Sequence, residues 1–396
     1  MSPEKRLLLA ITEMIPQWYS DVPFGPNKKV LSIDQDTLPL YSLRPFIRQL
    51  NNDFLGFALD NLGEWQYLLK HSSVNAVIEL MQEQLCLQWL LQYDSSVNWR
   101  VALDYFRSLI FRTYENTPIS LNLKITKNEG EIEISDPRIQ KYLDPLATSP
   151  GVFLKVDKNF RVVSYDEIPS SAEGGAKSEG IVLTHLYPFP EINKSDEYSM
   201  HLTKQGDLVI MNHDGMIAAK RKGRWFLYSN SLSNSIADIL NVKARFARNL
   251  CNLIFDLSYM RKGALLVYDP DKLVYDNLYN AGTQLFSKAG GLFFEDLRDI
   301  DIGNRKKSKK TRTFFEVASM DGSILFDTNH LIAVGAFIKN HENVEQHPGT
   351  RTTAAHSAFY YKGIPIKISA DGHISIIFES KDDRSLRTCK AILRFL

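Results

Sequence analysis

The stretch that most constrains the fold lies between residues 234 and 268. Ile236, Ile239, Leu240, Phe246, Leu250, Leu253, Ile254 and Leu257 recur at helical spacing and make one apolar stripe. Directly after it comes "RKGALLVYD", in which Ala264 to Tyr268 form an unbroken apolar run. A strand that is apolar on both faces must be covered on both faces, ordinarily by helices. The order from there reads helix, strand, helices, strand, strand, strand, which predicts an α/β layered domain over residues 233–396. Ser233 is expected to cap one long helix over about 234–260.

Upstream the periodicity differs. Val77, Leu80, Met81, Leu85, Leu87 and Leu91 predict a helix, and Val101, Tyr105 and Leu109 a second one. Pro118 closes this helical stretch. The period then becomes two: Ile119, Leu121, Leu123 and Ile125 alternate as in a half-buried strand, and Ile132 with Ile134 follows. "TKNEG" between them reads as a hairpin turn. A second strand pair is expected around Asp157-Lys158-Asn159, and further strands over 206–228 with turns at Asp214-Gly215 and Gly223. Residues 169–180, "PSSAEGGAKSEG", read as a mobile loop. The expected layout is therefore a mostly helical, sensor-like region at 1–118, a β-rich region at 119–232 and the α/β domain at 233–396. No internal repeat is visible.

Composition narrows the class. The chain has 396 residues with a net charge of +1, so no global field points to nucleic acid or an anionic membrane. Cys86, Cys251 and Cys389 are too few and too scattered for a disulfide framework or a zinc site. The apolar patch near the N-terminus is interrupted by Thr12 and Glu13, and no stretch reaches the ~20 apolar residues of a membrane span. A cytoplasmic protein without a membrane span is expected.

Two turns in the C-terminal domain carry candidate chemistry. Asp321-Gly322-Ser323 precedes a strand-like run, and Gly349-Thr350-Arg351-Thr352-Thr353 precedes a run of alanines. An aspartate on a turn is commonly engaged with nearby backbone amides, and it is equally a hard oxygen donor for Mg²⁺ or Mn²⁺. A Gly-Thr-Arg turn is either an ordinary loop or a phosphate cradle. Its glycine permits close approach, its amides and hydroxyl donate, and its arginine supplies a forked cation.

Taken together and in order, these segments resemble the diadenylate cyclase domain family. That family has a "GALIV" strand, where this chain has "KGALLV" at 262–267. It has a "DGA" motif, where this chain has Asp321-Gly322-Ser323, followed by a strand of "aAG" character, here "LIAVGAFI". It has "GTRHRAA", where this chain has Gly349-Thr350-Arg351-Thr352-Thr353-Ala354-Ala355, and a "VSEE-G-IS" hairpin, here "ISADGHIS" at 368–375. The resemblance spans about residues 234–380. Thr352-Thr353 stands where the family has His-Arg, and Ala370-Asp371 where it has an acidic pair.

The resemblance implies an enzyme that condenses two ATP into cyclic di-AMP and pyrophosphate. Asp321, Gly322 and Arg351 would be catalytic. Ser323, Gly349, Thr350, Arg351, Thr352 and Thr353 would bind the nucleotide, and Asp321 with Asp371 would hold Mg²⁺ or Mn²⁺. It implies a homodimer or higher homo-oligomer through the cyclase domain, with an N-terminal region answering to a signal the sequence does not identify. The alternative is a degraded or re-specialised domain that binds a nucleotide without turnover. The basic run 304–312 is expected to be a solvated loop, since no aromatic residues interleave it. His330, His341, His347 and His356 lack metal-ligand spacing and are expected at the surface or behind the site.

Overall fold

The computed structural model describes residues 74–147, 151–168, 180–228, 231–279, 308–345, 347, 349–381 and 388–395. Residues 1–73 of the N-terminal region expected at 1–118, and residues 169–179 of the loop expected at 169–180, lie outside the described residues. The fold is mixed α/β, and it divides into two compact units. The first contains residues within 74–168 and 188–228, and the second residues within 180–187 and 231–395.

In the first unit, helices α1 (Val74–Tyr93) and α2 (Trp99–Leu109) precede a short ribbon of β1 (Thr113–Tyr114) and β2 (Thr117–Pro118). Then come β3 (Leu121–Ile125), β4 (Ile132–Glu133), α3 (Pro137–Ala147), β5 (Val152–Val156) and β6 (Arg161–Glu167). Helix α4 (Pro188–Ile192) leads to β7 (Tyr198–Leu202), β8 (Leu208–Asn212), β9 (Gly215–Arg221) and β10 (Arg224–Leu227). Eight of these strands form one sheet in the order β10-β9-β8-β7-β3-β5-β6-β4.

The alternation Leu121, Leu123, Ile125 points one face of β3 into a core shared with Trp89, Leu90, Trp99 and Phe106 of the helices. The boundary expected at residue 118 therefore falls inside a single core: each amphipathic layer buries its apolar face against the other. The hairpin expected at "TKNEG" does not form. β3 pairs with β5 in parallel and with β7 antiparallel, while β4 pairs with β6. Strand β4 spans only two residues, which leaves it little to contribute to a ladder with β3. The pairs β5–β6 and β8–β9–β10 are antiparallel around the turns read from the sequence.

Two charged pairs are buried among the described residues of this unit, Arg221 with Asp207 and Lys124 with Glu197. Lys124 Nζ lies 2.8 Å from Glu197 Oε2 and donates to the Ile192 carbonyl at 2.6 Å. Burial alone would raise the Glu197 pKa, but the Lys124 hydrogen bond and the Lys194 amide outweigh it and hold the carboxyl below its usual range. A depressed carboxyl contributes stability that is complete above the ordinary glutamate range and is lost as pH falls through the lowered value. Lys124→Met is expected to cost about 3–5 kcal/mol at neutral pH, because it strands a buried carboxylate. Without Lys124, burial raises the Glu197 pKa, so protonation relieves the penalty and the cost of the substitution should shrink as pH falls through the glutamate range. All five tryptophans precede residue 226, so tryptophan fluorescence in urea at pH 7 and pH 4 follows this transition without signal from the second unit.

In the second unit the predicted single helix is two, α5 (Ser231–Leu240) and α6 (Ala244–Tyr259). Asn241, at φ 52°, ends the first. Its amide bonds Asp238 and the Val242 amide bonds Ala237, which together close the carbonyl end of the helix. Ser233 thus sits inside α5, not at a cap. The segment at 181–184 packs on α6. The Val182 amide donates to Asn252 Oδ1 at 2.9 Å, and Thr184 donates to Asp256 from its amide at 2.8 Å and its hydroxyl at 2.6 Å.

The elements that follow are β11 (Ala264–Tyr268), α7 (Ser308–Ala318), β12 (Ser323–Phe326), β13 (Leu331–Ala336), α8 (Thr350–Tyr360), β14 (Ile364–Ile368), β15 (Ile374–Lys381) and β16 (Thr388–Phe395). They form a mixed sheet in the order β13-β12-β11-β14-β15-β16, in which only β11–β12 is parallel among the described pairs. Every residue of β11 is buried, as its continuous apolar run predicts. Leu265 and Val267 pack under Ala355, Ala358 and Phe359 of α8. Ala264 and Leu266, on the opposite face by alternation, are equally buried. Helix α6 runs against β14, and α7 against β11 and β13. The backbone of the basic run is helical from Ser308, a correction to the loop expected there.

Candidate functional site

The site is built from three turns of the second unit. The first joins α7 to β12. Gly322 adopts φ 99°, and a Cβ there would fall 2.5 Å from the Gly335 carbonyl carbon. Gly335 itself lies at φ 61°, beside a register shift between β12 and β13. Two glycines let the two backbones touch, and that contact fixes the turn. Ser323 is buried and donates its hydroxyl to the Ala336 carbonyl at 2.9 Å. Asp321 is left outside, with its side chain 99% exposed.

The second turn opens α8. Gly349, at φ 116° and ψ 119°, is the N-cap residue and has no side chain to cap the first amides. A backbone with unclaimed amides at a helix start favours an anion. Arg351, in the first turn of α8, reaches back to Asp321: its Nη2 is 3.9 Å from Oδ1. At that distance, and with one partner fully exposed, the pair adds at most about 1 kcal/mol. Its significance is placement, since it brings the two turns to one spot. Gly263, between α6 and β11, makes room for the guanidinium. A Cβ on Gly263 would lie 2.6 Å from Arg351 Nη1 and 3.4 Å from the Ala370 amide nitrogen.

The third turn joins β14 to β15. The Asp371 carbonyl accepts from Arg261 Nη1 at 2.9 Å, and its half-exposed carboxylate is 3.7 Å from His373 Nε2. Through Ala370 this turn borders the Gly263 corner, next to the Arg351 guanidinium.

The residues read from the sequence separate into two sets. Asp321, Gly349, Thr350 and Arg351 stand at one corner. Ser323 and Thr353 turn inward: Thr353 is buried and its hydroxyl accepts the His347 amide at 3.1 Å, so both hydroxyls shape backbone instead of facing a ligand. Thr352 is half-buried, and its hydroxyl accepts from Lys367 Nζ at 3.0 Å. Sequence reasoning missed Lys367 and the roles of Gly263 and Gly335. A lysine interrupting the apolar strand "IPIKI" was the available signal.

No group of three His, Cys, Asp or Glu side chains able to hold a metal exists among the described residues. Mg²⁺ is commonly bound by one or two carboxylates together with substrate phosphates. An exposed Asp321 beside a phosphate-suited helix start fits that mode, and a closed protein cage does not form. The four histidines singled out in the sequence have other partners. His341 stacks on Tyr360 with centroids 5.1 Å apart, His347 on His356 at 4.4 Å, and His330 lies 3.7 Å from Asp327. Cys86 and Cys251 are buried free thiols, and burial pushes the Cys251 pKa up to about 12. No helix among the described residues is long and apolar enough to cross a membrane.

No protein-family model and no curated protein matches the chain. Among solved structures, a double mutant of DacA from Staphylococcus aureus is similar, with 13% identity and a TM-score of 0.24. The overlap covers 37% of this chain and 85% of that one. A hypothetical membrane spanning protein from Bacillus cereus shares 17% identity at a TM-score of 0.25, over 37% of this chain and 72% of its own. These are distant likenesses, and the reading of the site rests on its own residues.

Proposed function

We propose that the second unit binds ATP at the corner formed by Asp321 and Arg351, and that two such units facing each other condense two ATP into cyclic di-AMP and two pyrophosphates. The observation that carries this reading is the meeting of the Asp321 turn with the Arg351 turn, 3.9 Å apart at the start of α8. In each half-reaction the 3′-hydroxyl oxygen of one nucleotide bonds to the α-phosphorus of the other. The bond from that phosphorus to the β-phosphate bridge breaks, pyrophosphate leaves, and the hydroxyl proton passes to solvent. Arg351 and the first amides of α8 would grip phosphate oxygens, and positioning of this kind supplies much of the acceleration in nucleotidyl transfer. Asp321, with Asp371 as a second donor, would hold Mg²⁺ or Mn²⁺, which neutralises charge on the phosphates when bound. One unit cannot close the ring, so pairing is part of the reaction.

A second reading, nucleotide binding without turnover, is favoured by the inward turn of Thr353 and by the single acid at Asp371. Incubation of the full chain with ATP and Mg²⁺ or Mn²⁺, followed by chromatography and mass spectrometry, separates the two. Cyclic di-AMP, formed at a rate per chain that rises with protein concentration, is the expected result. Bound but unchanged ATP would leave the second reading, and absence of ATP binding would defeat both. In the same assay Arg351→Ala is expected to weaken ATP binding by about tenfold to a hundredfold, the worth of a charge-assisted contact of about 1.5–3 kcal/mol. Equal affinity in the variant would remove Arg351 from the site.

A further inference from the structure

Helix α6 stops on an arginine where glycine or asparagine is ordinary. Arg261 lies at φ 55°, in the left-handed region that a Cβ disfavours. Its amide bonds the Ser258 carbonyl at 3.1 Å, and the Lys262 amide bonds the Leu257 carbonyl at 3.0 Å, the pairing of a glycine-type helix stop. Stopping the helix needs no side chain at 261, so the reason for one lies in what the guanidinium holds.

It holds the third turn of the site. Arg261 Nη1 donates to the Asp371 carbonyl at 2.9 Å. Ser258, in the last turn of α6, donates its hydroxyl to the next carbonyl, that of Gly372, at 2.5 Å. Ser258 is fully buried. One helix end thus takes two successive carbonyls of the turn. The turn also closes on itself, with the Gly372 amide on the Ser369 carbonyl at 2.9 Å and the Ser369 amide on the His373 carbonyl at 2.8 Å. The half-exposed Asp371 carboxylate takes its direction from this fixed backbone, and Ala370 of the same turn borders the corner that Arg351 occupies.

We propose that Arg261 and Ser258 are positioning residues of this site. By holding the Asp371 and Gly372 carbonyls they fix the Asp371 carboxylate as a donor to the divalent cation that accompanies a nucleoside triphosphate. The inference rests on the nucleotide reading above and extends it to two residues that touch neither nucleotide nor metal.

The test uses the full chain with ATP and Mn²⁺. Arg261→Gly relieves the left-handed backbone and removes the hydrogen bond, so a residue that merely stops the helix would be replaced without harm. The half-saturating Mn²⁺ concentration, read from Mn²⁺ binding to the protein–ATP complex and from product formation, is expected to rise about tenfold. Affinity for ATP in chelator should stay the same. Ser258→Ala should act in the same direction, and Arg261→Lys, which keeps a donor, should fall between wild type and Arg261→Gly. Hydrogen exchange of the Ser369 and Gly372 amides should quicken in Ser258→Ala and Arg261→Gly, while the amides of α8 stay protected. In an Asp371→Asn background Arg261→Gly should add no further loss, because its effect passes through that carboxylate; a purely structural role would add its full loss in both backgrounds. An unchanged Mn²⁺ requirement in Arg261→Gly, in a chain that turns ATP over, would overturn the assignment and leave the nucleotide reading standing, as would an additive loss in the double variant. A wild type that binds ATP no differently with Mn²⁺ than in chelator, and forms no product, would defeat the cyclase reading and the positioning role with it.

Discussion

Asp321→Asn is expected to abolish formation of cyclic di-AMP while leaving the protein folded. The substitution removes one negative charge from a side chain that is 99% exposed. Exposed changes of this kind ordinarily alter stability by less than about 0.5 kcal/mol. The neutral amide is a much poorer ligand for a hard divalent cation than the carboxylate it replaces. Binding should respond in the opposite sense to turnover in the absence of metal. Arg351 loses a competing anion, so metal-free ATP affinity should stay the same or rise. Rate measurement with Mg²⁺ and Mn²⁺, together with affinity measured in chelator, checks both halves. Product formation at the wild-type rate would exclude Asp321 as the metal ligand. A metal-free affinity that falls would mean that Asp321 holds Arg351 in position and does not compete with the phosphates.

Gly322→Ala should damage the second unit more than any other single-methyl addition at the site. The new Cβ would lie 2.5 Å from the Gly335 carbonyl carbon and 2.8 Å from its oxygen. Both are backbone atoms in β13, so relief requires moving a strand. The backbone also sits at φ 99°, a conformation costly for alanine. Strain and overpacking together predict a loss of about 2–5 kcal/mol. Hydrogen exchange of the β11, β12 and β13 amides reads this directly. The tryptophan transition of the first unit serves as an internal control, because residues 229–396 contain no tryptophan. Gly263→Ala provides the contrast. There the added carbon meets the end of the flexible Arg351 side chain, 2.6 Å away, which can swing aside. Its expected effect is therefore on phosphate binding, with little on stability. Unchanged exchange rates in Gly322→Ala would show that β13 yields easily, and that the glycine pair does not fix the turn.

Much of this architecture was legible in the residues. The buried run Ala264–Tyr268 predicted a strand covered on both faces, and β11 has that burial and a central place in the sheet. The strand pairs joined at Asp157-Lys158-Asn159, Asp214-Gly215 and Gly223 were readable because tight turns demand particular residues within a few positions. The break at 241–243 was not readable, because the apolar stripe continues through it and only Asn241 marks the end. The missing β3–β4 hairpin has a related cause. Alternation says that a segment is a strand but does not name its partner, and β3 found β5 and β7 instead.

By itself the sequence determined the α/β class, the helix and strand periods, and the two turns whose residue types suit a carboxylate ligand and a phosphate cradle. These are local properties, set by side-chain spacing and by backbone conformations that glycine permits. Only the tertiary structure decided that the two turns share a corner, that Ser323 and Thr353 bond inward to backbone, and that Gly263 makes room for Arg351. It also brought Lys367 to Thr352, two residues 15 positions apart in the chain. Each of these depends on the crossing of β11, β14 and α8, and such a crossing is fixed by how apolar faces pack over long sequence distances. No spacing within a single segment encodes it.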